Sequence, residues 1–298
     1  MWDTKGPYGG AKYPASLLTP PGPARGWGSR DGWGFKRRVG VQEMSVAALL
    51  LGDSRFPAGG HAHSGGIEPA VTAGTVTDTG TLEAFLRGRL RTAGLVAAGI
   101  AAAACAHARP GAQVPDGFWV ELDAEVDART PAPAQREASR RQGRALLRAA
   151  RVAWPEAAGL AGLAGLAATA GARPAASAGA RAETRSGAAR PEYRGGPHHA
   201  VVLGAAAAAA GCDHREAARI AAYQAVAGPV SAAVRLLALD PMRATAVLAR
   251  LADEVDEVAG QGAAYAEGPL GELPCASAPA LDLLAETHIR AEVRLFES

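Results

Sequence analysis

The sequence predicts an all-α protein, a single compact multi-helix domain preceded by a disordered N-terminal extension. Three observations carry that expectation. Alanine dominates the 298 residues while aromatic residues make up only 5%, a balance that favours helix over sheet on both propensity scales. Apolar residues recur at helical spacing in several segments. Those segments are introduced by residues suited to capping a helix N-terminus.

The elements follow in order. Residues 1–43 contain nine Gly, five Pro and three Trp without an apolar period, a composition that offers no core to offset chain entropy. The domain is expected over residues 44–298, and Met44 is a second candidate start beside Met1. From Met44 a run of Ser, Val, Ala and Leu opens the first helix, and a loop spans Pro57 to Gly66. Asp78 to Thr81 then supply an N-cap for a helix with Leu82, Phe85, Leu86, Leu90, Ala93, Ala97, Ile100 and Ala104 on one stripe, ended by Arg109-Pro110-Gly111. Shorter helices are expected at Phe118 to Val126 and Arg136 to Val152, the second with Ala138, Ala145, Leu146, Ala149 and Val152 inward and its arginines on the opposite face.

After repeated Gly-Leu-Ala near residues 159–167, the stretch of about 170–197 is rich in Ala, Gly, Ser, Arg and Pro and reads as a mobile loop. Order resumes at His198. Asp213 and Glu216 form a capping box for a helix running towards Val226, which Gly228-Pro229 is expected to interrupt. Asp240-Pro241 gives an N-cap with proline at the first helical position, followed by the stripe Ala244, Val247, Leu248, Leu251, Val255 and Val258. A final amphipathic segment, about Ala280 to Phe296, stands beyond a Gly- and Pro-containing connection and suits a docking tail.

Composition removes several functions. The formal charge of +2 conceals an N-terminal excess of seven Lys or Arg over three acids in residues 1–44, leaving 24 basic and 26 acidic residues afterwards. Such a balance gives no clustered phosphate-binding surface, so nucleic acid is not expected as a partner. All three lysines, Lys5, Lys12 and Lys36, precede the domain, which excludes a Walker-type phosphate loop and lysine Schiff-base chemistry there. Cys105, Cys212 and Cys275 are scattered and odd in number, which fits a reducing compartment better than a disulfide framework. The apolar runs Leu95 to Ala106 and Ala200 to Gly211 fall short of the roughly 20 residues of a bilayer crossing. With no signal-peptide pattern in the first 44 residues, a cytoplasmic protein without membrane attachment is expected.

The densest motif lies between Leu51 and Glu68, where glycines and Pro57 bend a backbone that also carries Asp53, Ser54, His61, His63 and Ser64. Read from its residues, it is either a capped helix connector or a functional loop. His61 and His63 have a common ligand spacing, but two imidazoles do not close a metal site, and the alternative is that one hydrogen-bonds in the loop while the other sits on the surface. Ser64 lacks the glycine two residues earlier that a nucleophile elbow requires. Asp253, Glu254, Asp256 and Glu257 alternate with core valines and read as a solvated face. Arg235 stands among Ala232, Ala233, Val234 and Leu236, where a guanidinium needs a partner, either an internal carboxylate or an anion on another protein. Tyr223 is either an interface residue or a core one with its hydroxyl satisfied.

The loop resembles the signature of the urease accessory protein F family (UreF), an Asp-Ser-x-Phe-Pro-x-Gly-Gly-Phe-Ala-His-Ser-x-Gly-Leu-Glu-like stretch. Asp53, Ser54, Phe56, Pro57, Gly59, His63, Ser64, Gly66 and Glu68 match it. Arg136, Ser139 and Gly143 fit a second family pattern, Ser231 to Leu236 a third, and Pro279 to Asp282 with Arg294 to Ser298 the C-terminal one. The departures are His61, where an aromatic residue is more usual, and the Ala/Gly-rich region near 155–197, which looks like an insertion.

The resemblance implies a non-enzymatic chaperone of urease maturation with no stably bound cofactor. It would bridge UreD (also called UreH) and the GTPase UreG, modulate GTP hydrolysis, act on the urease apoprotein, dimerise, and handle nickel transiently. Asp53, Phe56, Pro57, Glu68, Arg136, Ser139, Tyr223, Arg235, Arg294 and Phe296 are then the candidate partner contacts, and His61 with His63 a candidate nickel contact. The alternative is a metal-dependent hydrolase built on the His61/His63 loop.

Overall fold

The structure is a computed structural model and describes residues 45–53, 56–57, 60–171, 195–291 and 294–296, without the side chains of His61 and residues 168–171. The extension at 1–43 and most of the loop at 170–197 lie outside the described residues. Within them every regular element is helical: α1 Val46–Gly52, α2 Ile67–Thr72, α3 Thr79–Arg89, α4 Leu95–Ala108, α5 Phe118–Arg129, α6 Pro133–Ala153, α7 Ala158–Gly171, α8 His199–Ala209, α9 His214–Leu237, α10 Pro241–Arg250, α11 Ala252–Ala263 and α12 Pro279–His288.

The capping residues act as their types require. Asp78 accepts from the amides of Gly80 and Thr81 at 2.9 and 2.8 Å. Asp213 and Glu216 form a reciprocal capping box, and Asp240 caps Met242 ahead of Pro241. Each satisfies an amide that the first turn leaves without an intrahelical acceptor.

A central helix, α4, packs against α8, α9 and α11. Alanine and glycine determine how closely. A Cβ on Gly204 of α8 would stand 2.6 Å from the Ala104 Cβ, and one on Gly262 of α11 would stand 2.7 Å from the Ala98 Cβ. The alanine-rich runs therefore bring backbones together rather than fill space with large side chains, and the density of contact replaces side-chain bulk. One core, containing Ile100, Leu122, Leu146, Leu163 and Leu203, lies on the side of α5 to α8. A second, containing Ile67, Leu82, Leu90, Val247 and Leu251, lies on the side of α2, α3 and α9 to α11.

Several sequence expectations change. A short helix, α2, follows the glycine-rich loop. The single helix expected between Asp78 and Arg109 is present as one rod, Thr79–Ala108, with the one addition of a π-turn, Leu90–Gly94, between α3 and α4. That rod and α9 are long and apolar enough to cross a bilayer by length and composition alone, contrary to the expectation from the apolar runs, but both are core helices whose apolar faces meet other helices. The stripe from Ala244 to Val258 is two helices, because the chain turns at Leu251. On α6 the inward positions are Ala134, Ala138, Arg140, Gly143, Leu146, Leu147 and Ala150, while Val152 is 84% exposed.

Pro229 does not interrupt α9. Proline lacks the N–H that would bond to the carbonyl four residues earlier, and that carbonyl, on Ala225, accepts instead from Nε of Arg89 at 3.0 Å. A side chain from another helix thus repairs the missing bond and the helix continues. The C-terminal segment is also less separate than expected. Arg129 binds the carbonyls of Leu273 and Pro274 in the connection, α12 packs on α2 and α6, and Phe296 is buried.

Candidate functional site: a groove beside the glycine-rich loop

A groove of about 1000 Å³ runs between the loop after α1, α9, α6 and the N-terminal end of α12. Its wall includes Asp53, Phe56, His63, Tyr223, Arg235 and Phe296, so side chains far apart in sequence meet along one surface. Gly65 and Gly66 make this arrangement possible. Their φ angles of 60° and 90° lie in the left-handed region open to glycine, and a Cβ on Gly65 would stand 2.9 Å from the Pro229 ring.

The expected contact residues divide into two groups. Glu68, Arg136, Ser139 and Phe296 are committed inside the chain. Glu68, 7% exposed, accepts from the amides of Leu295 and Phe296 at 2.7 and 2.9 Å and from His288 Nε2 at 3.0 Å. It is the clasp of the C-terminal segment, with both carboxylate oxygens engaged inside the chain. Arg136 donates to the carbonyls of Thr130 and Pro131 at the end of α5. Ser139 meets Nδ1 of His198 at 3.0 Å and the His199 amide at 3.3 Å.

In the second group four residues are exposed, while Phe56 and Asp53 are half-buried. Pro57, Arg235 and Arg294 are exposed and Tyr223 is 41% exposed. Phe56 stacks on Trp154 with ring centroids 6.0 Å apart, while Asp53 follows the last turn of α1 with its amide on the Leu50 carbonyl. The desolvation argument for Arg235 does not apply, because the side chain is at the surface. Its guanidinium carbon instead lies 4.6 Å from the centroid of the Phe296 ring, a cation–π contact. Around these residues α1 turns Val46, Leu49 and Leu50 outward at 82%, 58% and 46% exposure. Gly52 at its end lies against the Tyr223 ring.

His63 is half-buried, and the side chain of His61 lies outside the described residues. Desolvation draws the neighbouring His199 imidazole down to about 4, with repulsion from His63 adding to it. With the folded value below the ordinary 6.5, the unfolded chain binds the extra proton between those values. The contribution of His199 to stability is therefore complete above about 6.5 and declines as pH falls towards 4.

A second polar cluster escaped the sequence reading. Arg140 of α6 is buried and binds Asp123 Oδ2 at 2.8 Å, Asp127 Oδ2 at 2.7 Å and the Gly196 carbonyl. His198 completes the cluster through Nε2 to Asp127 Oδ1 and its backbone N–H to Asp123 Oδ1, both at 2.9 Å. Burial raises the Asp127 pKa, but His198 and Arg140 outweigh it and hold the carboxyl below its usual value. Asp123, Asp127 and His198 are close enough to hold a metal ion, yet Arg140 already supplies the positive charge and each carboxylate oxygen already has a donor. The cluster ties α5 and α6 to the start of α8. A Cβ on Gly143 would stand 2.9 Å from the His198 carbonyl carbon, so glycine is required for that approach. The signal was present in sequence, because Arg140 shares a face with Gly143, Leu147 and Ala150.

Comparison with known proteins gives the groove its context. The UreF family model matches residues 76–252. The urease accessory protein UreF of Mycolicibacterium vanbaalenii is 41% identical over 255 residues, covering 85% of this chain and 99% of that protein. The UreF of Mycobacterium marinum is 42% identical over 257 residues, covering 86% and 100%, and that of Mycobacterium tuberculosis is 40% identical over 255 residues, covering 85% and 99%. The glycine-rich loop, the all-helical fold and matches over nearly the whole length of these relatives together establish that the chain belongs to the UreF family of urease accessory proteins, and it is therefore not itself an enzyme.

Proposed function

We propose that this chain is the cytoplasmic adaptor that joins UreD (UreH) to the GTPase UreG during nickel insertion into the urease apoprotein. The observation that carries this reading is the surface around the groove. Exposed Val46, Leu49 and Leu50 belong to α1, whose Gly52 lies against exposed Tyr223, and exposed Arg235 lies about three turns farther along α9, an aromatic, aliphatic and arginine mixture of the kind that anchors protein interfaces. Part of this surface would serve a homodimer and part the two accessory partners. Arg235, Tyr223, Asp53, Pro57 and Arg294 remain the proposed contacts, while Phe56, Glu68, Arg136, Ser139 and Phe296 support them from within.

The mechanism is linkage. A partner that contacts one nucleotide state of UreG better than another shifts that equilibrium by the difference in affinity, and so couples GTP hydrolysis to nickel release. Nickel is cargo in this scheme, and His63 with His61 is at most a transient contact for it. The test is size-exclusion chromatography of the purified chain with UreD and UreG, followed by the GTP turnover of UreG alone and in the complex. A ternary complex with altered turnover supports the adaptor. Separate elution of all three proteins with unchanged turnover refutes it.

A further inference from the structure

Three backbone irregularities converge on one side chain of the groove wall. Arg89 is the last residue of α3, immediately before the π-turn Leu90–Gly94. Its Nε repairs the carbonyl left open by Pro229. Its Cζ and Nη2 lie 3.2 Å from where a Cβ on Gly65 would be, so the left-handed Gly65 turn keeps the space beside the guanidinium clear. Arg89, Gly65 and Pro229 all line the groove.

The neighbouring cations show what Arg89 lacks. Arg87 and Arg91 both pair with Glu254, at 2.7 and 2.8 Å. Among the described residues no carboxylate pairs with Arg89, whose one hydrogen bond is to the neutral Ala225 carbonyl through Nε. Half-buried on the groove wall, the guanidinium is pulled down to about 10 by partial desolvation, still a cation at neutral pH and one that faces the groove without a counter-charge. A cation so placed is open to an anion from the groove, and its planar Nη edge suits a bidentate carboxylate.

We propose that Arg89 anchors a carboxylate-receiving subsite in the groove, taking an Asp or Glu side chain from a protein segment docked there. A free phosphate would leave the apolar part of the wall uncovered. A singly charged carboxylate on an otherwise apolar segment meets both the cation and the Leu49, Ile220 and Leu281 side chains of the wall. The proposal rests on the adaptor reading and adds to it the chemistry of one contact.

The test uses the full chain as wild type, Arg89→Gln and Arg89→Lys, with purified UreD and purified UreG as separate calorimetric titrants. Melting curves of each variant establish folding. Gln retains a donor for the Ala225 carbonyl, so Arg89→Gln is expected to fold and to bind one partner at least tenfold more weakly. Lys keeps the charge without the fork and is expected to fall between the two. A folded Arg89→Gln with wild-type affinity for both partners overturns the subsite. If Arg89→Gln does not fold, wild-type affinity in Arg89→Lys overturns it. A wild-type chain that binds neither partner refutes the adaptor reading and the subsite together, whereas binding undiminished by the substitutions sinks the subsite alone.

Discussion

Single residues divide here between clasps and contacts, and sequence position did not distinguish them. Glu68 and Arg235 both fall in family-like motifs, yet one receives three hydrogen bonds from the C-terminal segment and the other stands in solvent over Phe296. The sequence suggested that Arg235 needed an anion because its neighbours are apolar. On a helix, those neighbours point elsewhere, and adjacency in sequence is not adjacency in space. Arg235→Ala is therefore expected to change stability little, since exposed cation–π contacts contribute about 0.5–1 kcal/mol. Recruitment of UreG is expected to weaken by about tenfold to a hundredfold if the guanidinium meets an anion there, a charge-assisted contact of roughly 1.5–3 kcal/mol. Melting and affinity measured on one preparation check this, and a destabilised variant with wild-type affinity would make Arg235 purely structural. By contrast, Glu68→Ala should free the Leu295 and Phe296 amides, which hydrogen exchange would report as lost protection. Unchanged protection would mean that Phe296 packing alone holds the segment.

At the scale of elements, the helices that sequence located best were those with explicit ends. Asp78, Asp213 and Asp240 begin α3, α9 and α10, and each side chain accepts the amides that its position requires. What could not be read were continuities supplied by distant residues. Gly228-Pro229 is a local breaker, but α9 passes through it because Arg89 approaches from another helix. Arg140 shares a face with Gly143, Leu147 and Ala150, which marks it as inward, but its partners, Asp123 and Asp127, lie on α5 and could not be named from α6 alone. The groove was legible only in part: its loop was evident from glycine content, whereas its opposite wall required the tertiary fold. The close crossing of α4 and α8 makes a sharp test of the packing account. Gly204→Val is expected to destabilise the chain by about 1–3 kcal/mol or more through overpacking against Ala101 and Ala104. Denaturant unfolding measures it, and a neutral result would show that the helices separate at little cost.

For the whole molecule, an alanine-rich helical core leaves few large side chains to spare, yet Val46, Leu49, Leu50 and Tyr223 remain outside it. The proposed adaptor role would give such a surface a use, and the absence of lysine after residue 36 removes a Walker-type GTP site from the chain itself. Nucleotide chemistry in this account belongs to a partner, and the proposal is that a partner covers the groove. The most direct measurement is urease activity reconstituted from purified apoprotein, UreD, UreG, nickel and GTP, with and without this chain. The account predicts that activation requires the chain and GTP hydrolysis together. Equal activation in its absence would contradict it.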